Sequence, residues 1–370
     1  MNTVIPVSSV IASIGTASPA NKFKQDEVLE FMKSTYGDDQ ARRKLSVVSR
    51  QSGIEYRNSV VPDFSLSCTD PELFADHTTP DINQRMDIYK KNVLPLSIEA
   101  IEKAFNNIAS VITVKDITHI ITVSCTGLFS PGLSTLIIEH YHLSDITFHT
   151  AINFMGCNAS FPALRLADLI VKDNMRAVVL VLCVELCTIH YRPKDNNDSI
   201  LANTIFADGA AAMLITSADR MSGTSLNRFY KIRAFNTLTL NEGKSLMAWD
   251  LNPVNFEMVL SAEIPHFIAQ NLKYIGEILK AEFQLSDFDH IKWAIHPGGR
   301  KILDAFISEM HLNKEDLVES YTILANYGNM SSVTIIFILK EILENLTISG
   351  DIIEMGFGPG ITIESALLSI

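Results

Sequence analysis

Short apolar runs alternate along the chain with longer segments in which apolar residues recur every three or four positions. Short runs bounded by turn residues predict buried strands, and the three-to-four spacing predicts helices that bury one face. Strands are predicted at residues 10–15, 118–124, 148–154, 177–183, 211–215, 291–295 and 352–356. Helices are predicted at residues 25–35, 81–106, 131–140, 162–173, 265–282, 301–310 and 330–346. This alternation indicates a layered α/β fold.

The chain has no linker rich in Pro, Gly or Ser that would divide it cleanly. The most polar interruptions lie at residues 185–203 and 216–230. A boundary near residue 216 separates an N-terminal half, 1–216, from a C-terminal half, 217–370. Each half then contains a strand–turn–helix segment with a reactive residue type at the turn, which predicts two similar halves.

Composition narrows the class of protein. The 370 residues are 47% hydrophobic and 19% charged, which supplies core for two domains or one duplicated one. The net charge is −12 and no basic stripe is present, so a nucleic-acid partner is not expected. No uninterrupted apolar stretch reaches the ~18 residues of a membrane span.

Five cysteines form an odd, sparse set, which is typical of free thiols in the cytoplasm and not of a disulfide framework. Cys183 and Cys187 are four residues apart, but they lie in a strand-like segment and lack a second pair of ligands. We interpret them as small core residues, and we expect no metal site.

Three residues that could carry chemistry stand at the ends of predicted elements. Cys157 lies between the strand at 148–154 and the helix at 162–173, where helix N–H groups would lower a thiol pKa. His296 follows the strand at 291–295, and Asn329 precedes the helix at 330–346. A Cys, a His and an Asn in these positions suggest one covalent acyl-transfer site.

Each residue type suits one step of such chemistry. A thiol can attack a thioester and hold the acyl group, and an imidazole can pair with the thiolate and donate to an oxyanion. An amide can donate to the same oxyanion, which an acceptor-only carboxylate would repel. Taken singly, the Cys could be a core residue and the Asn a helix cap.

Several stretches resemble those of the type III polyketide synthases, the chalcone-synthase-like family of the thiolase superfamily. They are residues 153–159 with 163–167, 206–212, 296–299 with 302–304, 327–332, and the closing loop 356–360. The likeness runs through most of the chain, in order and in spacing. It implies a thiolase-like αβαβα fold built from two similar halves, and a homodimer.

The resemblance also implies roles for single residues. Cys157 matches the nucleophile that carries the acyl group, and His296 and Asn329 match the pair that promotes decarboxylation and binds the oxyanion. Phe206 matches the aromatic gatekeeper between the CoA tunnel and the cavity. Arg57 resembles a basic residue that meets the CoA phosphates, and the basic run 42–44 could assist it.

At some positions the residue differs from the one that the plant enzymes of this family carry. The second gatekeeper Phe of those enzymes aligns with Met258 here, and the methionine that crosses their dimer interface aligns with Ser130. The segments around Cys125 and Trp249 look more like bacterial members. This implies that Cys125 lines the cavity as a non-catalytic thiol, that Trp249 adds bulk beside the growing chain, and that the starter is a fatty acyl group.

The implied reaction is repeated decarboxylative condensation of an acyl-CoA starter with malonyl-CoA. Cyclisation then gives a pyrone, resorcinol or phloroglucinol, with no metal or organic cofactor. Three alternatives remain: a ketoacyl-ACP synthase of fatty-acid initiation, a Cys-His-Asn thioester hydrolase in which the Asn orients the His, and a scaffold without catalytic activity.

Overall fold

The computed structural model describes residues 8–75, 79–224 and 228–370. The strands are β1 Ser9–Ala17, β2 Asn21–Lys24, β3 Tyr56–Ser59, β4 His119–Ser124, β5 Phe148–Asn153, β6 Val179–Leu186, β7 Asp208–Ser217, β8 Tyr230–Thr239, β9 Met247–Leu251, β10 Phe256–Leu260, β11 Lys292–Ile295, β12 Asp351–Gly358 and β13 Thr362–Ser369. The helices are α1 Gln25–Thr35, α2 Asp39–Gln51, α3 Ile82–Asn106, α4 Leu133–His140, α5 Ser160–Asp173, α6 Asn197–Ile205, α7 Ala218–Met221, α8 Ile264–Phe283, α9 Arg300–Glu309, α10 Val318–Tyr327 and α11 Thr334–Glu344.

Nine strands join in one mixed sheet with the order β11-β12-β13-β8-β1-β7-β6-β4-β5. Strands from the first half of the chain occupy one side and strands from the second half occupy the other. The two sides meet only where β1 pairs with β8 through Val10 with Lys231 and Ile11 with Tyr230. The predicted division at residue 216 falls at the end of β7.

Three apolar cores show how the layers stack. In the first, α1, α3 and α4 pack on the strands of the first half. In the second, α5 and α11 lie between the strands of the two halves. In the third, α8 and α9 cover the strands of the second half. Helices therefore cover both faces of each half of the sheet, and the predicted layered α/β fold is confirmed.

The described part of the chain contains no helix with the length and apolar character required to cross a membrane.

One buried carboxyl makes stability depend on pH. Glu354 lies on β12, and its Oε1 has no hydrogen-bond partner within the described residues. Burial raises the pKa of Glu354 from 4.5 to about 8. Because the folded state holds this proton more tightly than the unfolded state, the free energy of unfolding falls as pH rises from 4.5 to about 8.

We therefore expect Glu354→Gln to raise Tm by several degrees above pH 8 and to change it little near pH 4.5. Thermal unfolding across this pH range measures the effect, and Glu341→Gln, at an exposed position of α11, is the control. Equal Tm values for wild type and Glu354→Gln at alkaline pH would contradict the assignment.

Candidate active site

The turn that carries Cys157 is held in shape by its neighbours. After β5 the backbone turns sharply through Phe154, at φ 58°, and Gly156, at φ 85°. A Cβ at Gly156 would lie 2.5 Å from Cδ of Pro359, so the turn packs against the closing loop of the chain with no room for a side chain. Helix α5 begins at Ser160, three residues after the sulfur.

The electrostatic surroundings of Cys157 differ from the sequence prediction. The thiol is buried, and burial raises its pKa to about 12, although hydrogen bonds to the side chains of Ser331 and Asn329 act in the opposite direction. The expected lowering of the thiol pKa by the helix is wrong, because desolvation outweighs the dipole of a helix that starts three residues further on. A thiolate therefore requires a base that accepts the proton within the site.

His296 lines the same cavity as Cys157. Its backbone N–H donates to the carbonyl of Met355 at 2.8 Å, which extends the pairing of β11 with β12. The side chain is 1% exposed, and neither ring nitrogen has a hydrogen-bond partner within the described residues. Burial lowers the pKa of His296 to about 3, so the imidazole is neutral and both nitrogens are free to meet a ligand.

Asn329 is oriented by the backbone N–H of Ser331. Its Oδ1 accepts a hydrogen bond from the N–H of Ser331 at 2.8 Å, which directs Nδ2 away from that contact and leaves it as a donor. The backbone of Asn329 pairs with the segment of Phe206 through Asn329 N–H to Ile205 O and Ala207 N–H to Asn329 O, both 2.9 Å. The backbone segments of Asn329 and Phe206 are thus fixed to one another.

The same contacts argue against the hydrolase alternative. A Cys-His-Asn hydrolase needs the amide oxygen of Asn to accept from the imidazole and orient it. Here that oxygen accepts from the N–H of Ser331, and the ring nitrogens of His296 contact neither it nor any other partner within the described residues. Asn329 is therefore arranged as a donor and not as a support for the imidazole.

Two cavities meet at the sulfur. The outer tunnel, with a free volume of about 500 Å³, is lined by Cys157, His296 and Asn329 among other residues. The inner pocket, of about 70 Å³, also reaches Cys157. Phe206 and Met258 line both cavities, so they stand at the junction where the sequence resemblance implies gatekeepers.

Cys125 and Trp249 lie on the inner pocket. The indole Nε1 of Trp249 donates to the carbonyl of Cys125 at 2.8 Å, and the N–H of Gly156 donates to the Cys125 sulfur at 3.2 Å. Burial raises the pKa of the Cys125 thiol well above its usual value, so this second sulfur stays a neutral thiol beside the nucleophile.

The assignment of Arg57 to the CoA phosphates is wrong. Arg57 is 4% exposed and lines the inner pocket, and it is not among the residues that line the outer tunnel. Its Nη1 donates to the carbonyls of Asn203 and Phe206 at 2.8 Å each. A guanidinium buried in this way holds the backbone beside the gatekeeper and cannot reach a phosphate in solvent.

Three residues that the sequence analysis did not single out belong to the site. The hydroxyl of Ser331 contacts the Cys157 thiol. Glu185 accepts from Ser332 Oγ at 2.7 Å and from the N–H of Cys125 at 2.9 Å, and burial raises its pKa to about 7. His190 lies on the inner pocket. A signal existed for Glu185, since an acidic residue in an apolar strand must find buried partners.

The chain resembles known proteins over its whole length. The family model "Chalcone and stilbene synthases, N-terminal domain" matches residues 6–219, and the corresponding C-terminal domain model matches residues 233–370.

Similar proteins come from several kingdoms. "Probable polyketide synthase 1" of Dictyostelium discoideum is 27% identical over 367 residues, which are 98% of this chain and only 11% of that protein. "Alpha-pyrone synthesis polyketide synthase-like Pks18" of Mycobacterium tuberculosis is 26% identical and covers 98% of this chain and 91% of that protein. The crystal structure of PKS-I from the brown alga Ectocarpus siliculosus is 27% identical, with 100% of both chains covered and a TM-score of 0.92.

This structural likeness confirms the thiolase-like fold expected from the sequence. Both halves of the chain match the family models. The whole fold superimposes on the structure of PKS-I with a TM-score of 0.92. The chain therefore belongs to the chalcone and stilbene synthase family.

Proposed function

We propose that this protein is a type III polyketide synthase that extends an acyl group on Cys157 by repeated decarboxylative condensation with malonyl-CoA. The observation that supports it best is that Cys157, His296 and Asn329, which are far apart in sequence, line one cavity. The names of the similar polyketide synthases agree with this activity.

Loading begins with a neutral pair of groups. As the Cys157 sulfur attacks the thioester carbonyl of the starter, its proton passes to the neutral imidazole of His296. The tetrahedral oxyanion accepts from the imidazolium and from Nδ2 of Asn329. The C–S bond to CoA then breaks, the CoA thiolate takes the proton from His296, and the acyl group remains on Cys157.

Extension uses the same donors on a different oxygen. Malonyl-CoA loses CO₂, and the electron pair of the broken C–C bond forms an enolate whose oxygen accepts from His296 and Asn329. The enolate carbon attacks the acyl carbonyl on Cys157, and the sulfur leaves. The product is a β-ketoacyl-CoA, which can reload for another round. This chemistry is acyl transfer and carbanion stabilisation, so the proposal needs no metal or organic cofactor.

The mouth of the outer tunnel supplies positive charge for CoA. Arg43 and Lys44 on α2 and Arg300 and Lys301 at the start of α9 line this cavity and are exposed. The first backbone N–H groups of α9 favour anions as well. These four cations, and not Arg57, are the proposed partners of the CoA phosphates.

Charge reversal at Lys301→Glu is expected to raise KM for malonyl-CoA roughly 5–30-fold, because it replaces an attraction to phosphate by a repulsion, with kcat changed less than about twofold. Steady-state kinetics at low and high salt measure this, and the defect should shrink as salt screens it. Lys273→Glu, on the exposed face of α8, is the control. An unchanged KM would remove Lys301 from the CoA site.

We also propose a homodimer formed through β5. Strand β5 is at the edge of the sheet and pairs only with β4 among the described strands. Phe148, at its start, is 55% exposed, and the nearby Ile146 is 91% exposed. An unpaired edge strand with exposed apolar residues is a surface that a second copy can cover about a two-fold axis.

Phe148→Asp should therefore convert the dimer to a monomer, because it would bury a carboxylate at the centre of the interface. Light scattering coupled to gel filtration gives the mass. Leu346→Asp replaces a leucine that is 82% exposed and lies outside β5, and it should leave the dimer intact. A wild-type protein that is monomeric at micromolar concentration would contradict the proposal.

A cytoplasmic location is part of the proposal and is supported by the five cysteines, all of which are free.

The decisive test of function is incubation of the purified protein with malonyl-CoA and a panel of acyl-CoA starters, without any carrier protein, followed by mass spectrometry of the products. Release of CO₂ together with a product that contains two or more malonyl-derived units is the expected result. A single extension that requires an acyl carrier protein would instead identify a ketoacyl-ACP synthase.

A further inference from the structure

The hairpin formed by β9 and β10 is separate from the main sheet. Among the described strands, these two pair only with one another. Trp249, Phe256 and Met258 belong to this hairpin and line the inner pocket. A two-stranded hairpin is at best marginally stable on its own, so contacts with other elements must hold it in place. The position of this wall relative to Cys157 therefore depends on contacts made outside the hairpin.

One buried side chain joins the hairpin to the first half of the chain. Arg85, on α3, is fully buried. Its Nε donates to the carbonyl of Val254, in the turn between β9 and β10, at 2.8 Å. Its Nη1 donates to the carbonyls of Ile189 and Tyr191, the residues on either side of His190, and the bond to Tyr191 is 3.0 Å long. One guanidinium thus connects the hairpin turn with the segment that carries His190.

His190 makes the second attachment of the hairpin to this segment. Its Nδ1 accepts from the N–H of Phe256 at 3.2 Å, and the two rings stack with their centroids 4.6 Å apart. Its carbonyl accepts from Nδ2 of Asn255 at 3.2 Å. Because Arg85 fixes the backbone on both sides of His190, loss of the guanidinium would loosen both attachments of the hairpin.

We infer that Arg85 is a positioning residue for chain extension: it lines neither cavity, and it holds the hairpin in place as a wall of the inner pocket. The inference rests on the proposed function. Cys157, His296 and Asn329 are carried by other elements, so loading and decarboxylation do not need the hairpin. Extension needs it, because the acyl chain on Cys157 lies against this wall while the enolate attacks, and a small displacement of a reacting group costs rate.

Arg85→Lys tests this role. Lysine keeps the charge but has a single nitrogen, which cannot take the places of Nε and Nη1 at once. Hydrogen exchange of peptides from 247–260 should become at least roughly tenfold faster, with exchange in β6 and β7 unchanged. Products with two or more malonyl-derived units should fall at least roughly fivefold relative to products of a single extension. Loading of Cys157, measured by intact-protein mass spectrometry, should stay within about threefold of wild type.

Arg228→Lys is the matched control, because Arg228 also donates to backbone carbonyls and lines neither cavity. Its acceptors are the carbonyls of Ile342, Leu343, Asn345 and Ile348. This variant should lower Tm, as Arg85→Lys does, without changing the product ratio or the exchange of the hairpin. Asn255→Ala removes only the contact with the His190 carbonyl, so it should change both readouts in the same direction as Arg85→Lys and by less. It serves as the test if Arg85→Lys folds poorly.

Unchanged exchange in the hairpin, or an unchanged product ratio in folded Arg85→Lys, would overturn the inference and leave the proposed function intact. So would an equal change of product ratio in Arg228→Lys at the same loss of Tm, because the effect would then follow stability alone. Absence of extension by the wild-type protein would instead count against the proposed function. Hydrogen exchange needs no substrate and would still test whether Arg85 holds the hairpin.

Discussion

Replacing Cys157 by alanine is expected to abolish polyketide formation while slow decarboxylation of malonyl-CoA continues. The sulfur is the atom that carries the acyl group, and loss of a covalent nucleophile lowers turnover by roughly 10³-fold or more. Decarboxylation needs only an enolate oxygen held by donors, and His296 and Asn329 remain in Cys157→Ala. The variant should therefore form acetyl-CoA from malonyl-CoA without any acyl-enzyme.

Mass spectrometry of the intact protein and of the CoA esters follows both activities in one sample. Cys68→Ala removes a thiol outside both cavities and should behave as wild type. Full-length product from Cys157→Ala would show that the acyl group is not carried on this sulfur. Loss of decarboxylation with an unchanged Tm would show that the thiol also acts in that step.

Asn329→Asp is expected to lower kcat for both decarboxylation and condensation by roughly 10²–10³-fold with little change in Tm. The carboxylate keeps an oxygen that can accept from Ser331 N–H, so the turn should hold its shape. The donor Nδ2 is replaced by an acceptor that carries negative charge, which repels the enolate.

Asn326→Asp is the matched control, since it makes the same chemical change on α10 at a half-buried position outside both cavities. Initial rates of CO₂ release and of product formation measure the two steps separately. Decarboxylation above half of the wild-type rate in Asn329→Asp would mean that the amide is not an oxyanion donor.

The positions of the strands that present the reactive residues were predictable, although their patterns differ in strength. Strand β11, before His296, is a short and mostly apolar run, whereas β5, before Cys157, has the sequence FHTAIN and is largely exposed. In each case the reactive residue comes after the strand, as predicted. Helix α6 begins within the segment 185–203, which was interpreted as a polar interruption because the buried residues of this helix are only Ile200, Thr204 and Ile205. Helix α6 packs against α2. The local sequence pattern of α6 does not reveal this contact, because α2 is far away in the sequence.

Two properties of the site depended on contacts distant in sequence. Arg57 looked like a surface cation, but its carbonyl partners lie 146 and 149 residues further along the chain. The pKa of Cys157 was predicted from the nearby helix, whereas burial by both halves of the chain decides its direction. Local sequence therefore identified which residues are reactive, and tertiary packing determined how they ionise and what they contact.

The backbone bridge between the segments of Phe206 and Asn329 bears on how the two halves could be separated. Phe206 comes from one half and Asn329 from the other, and two backbone hydrogen bonds of 2.9 Å set the register of their segments. If the chain were cut between residues 222 and 230, neither fragment would contain a working site. Activity would return only on complementation, and recovery would report directly on how well the fragments dock along this bridge.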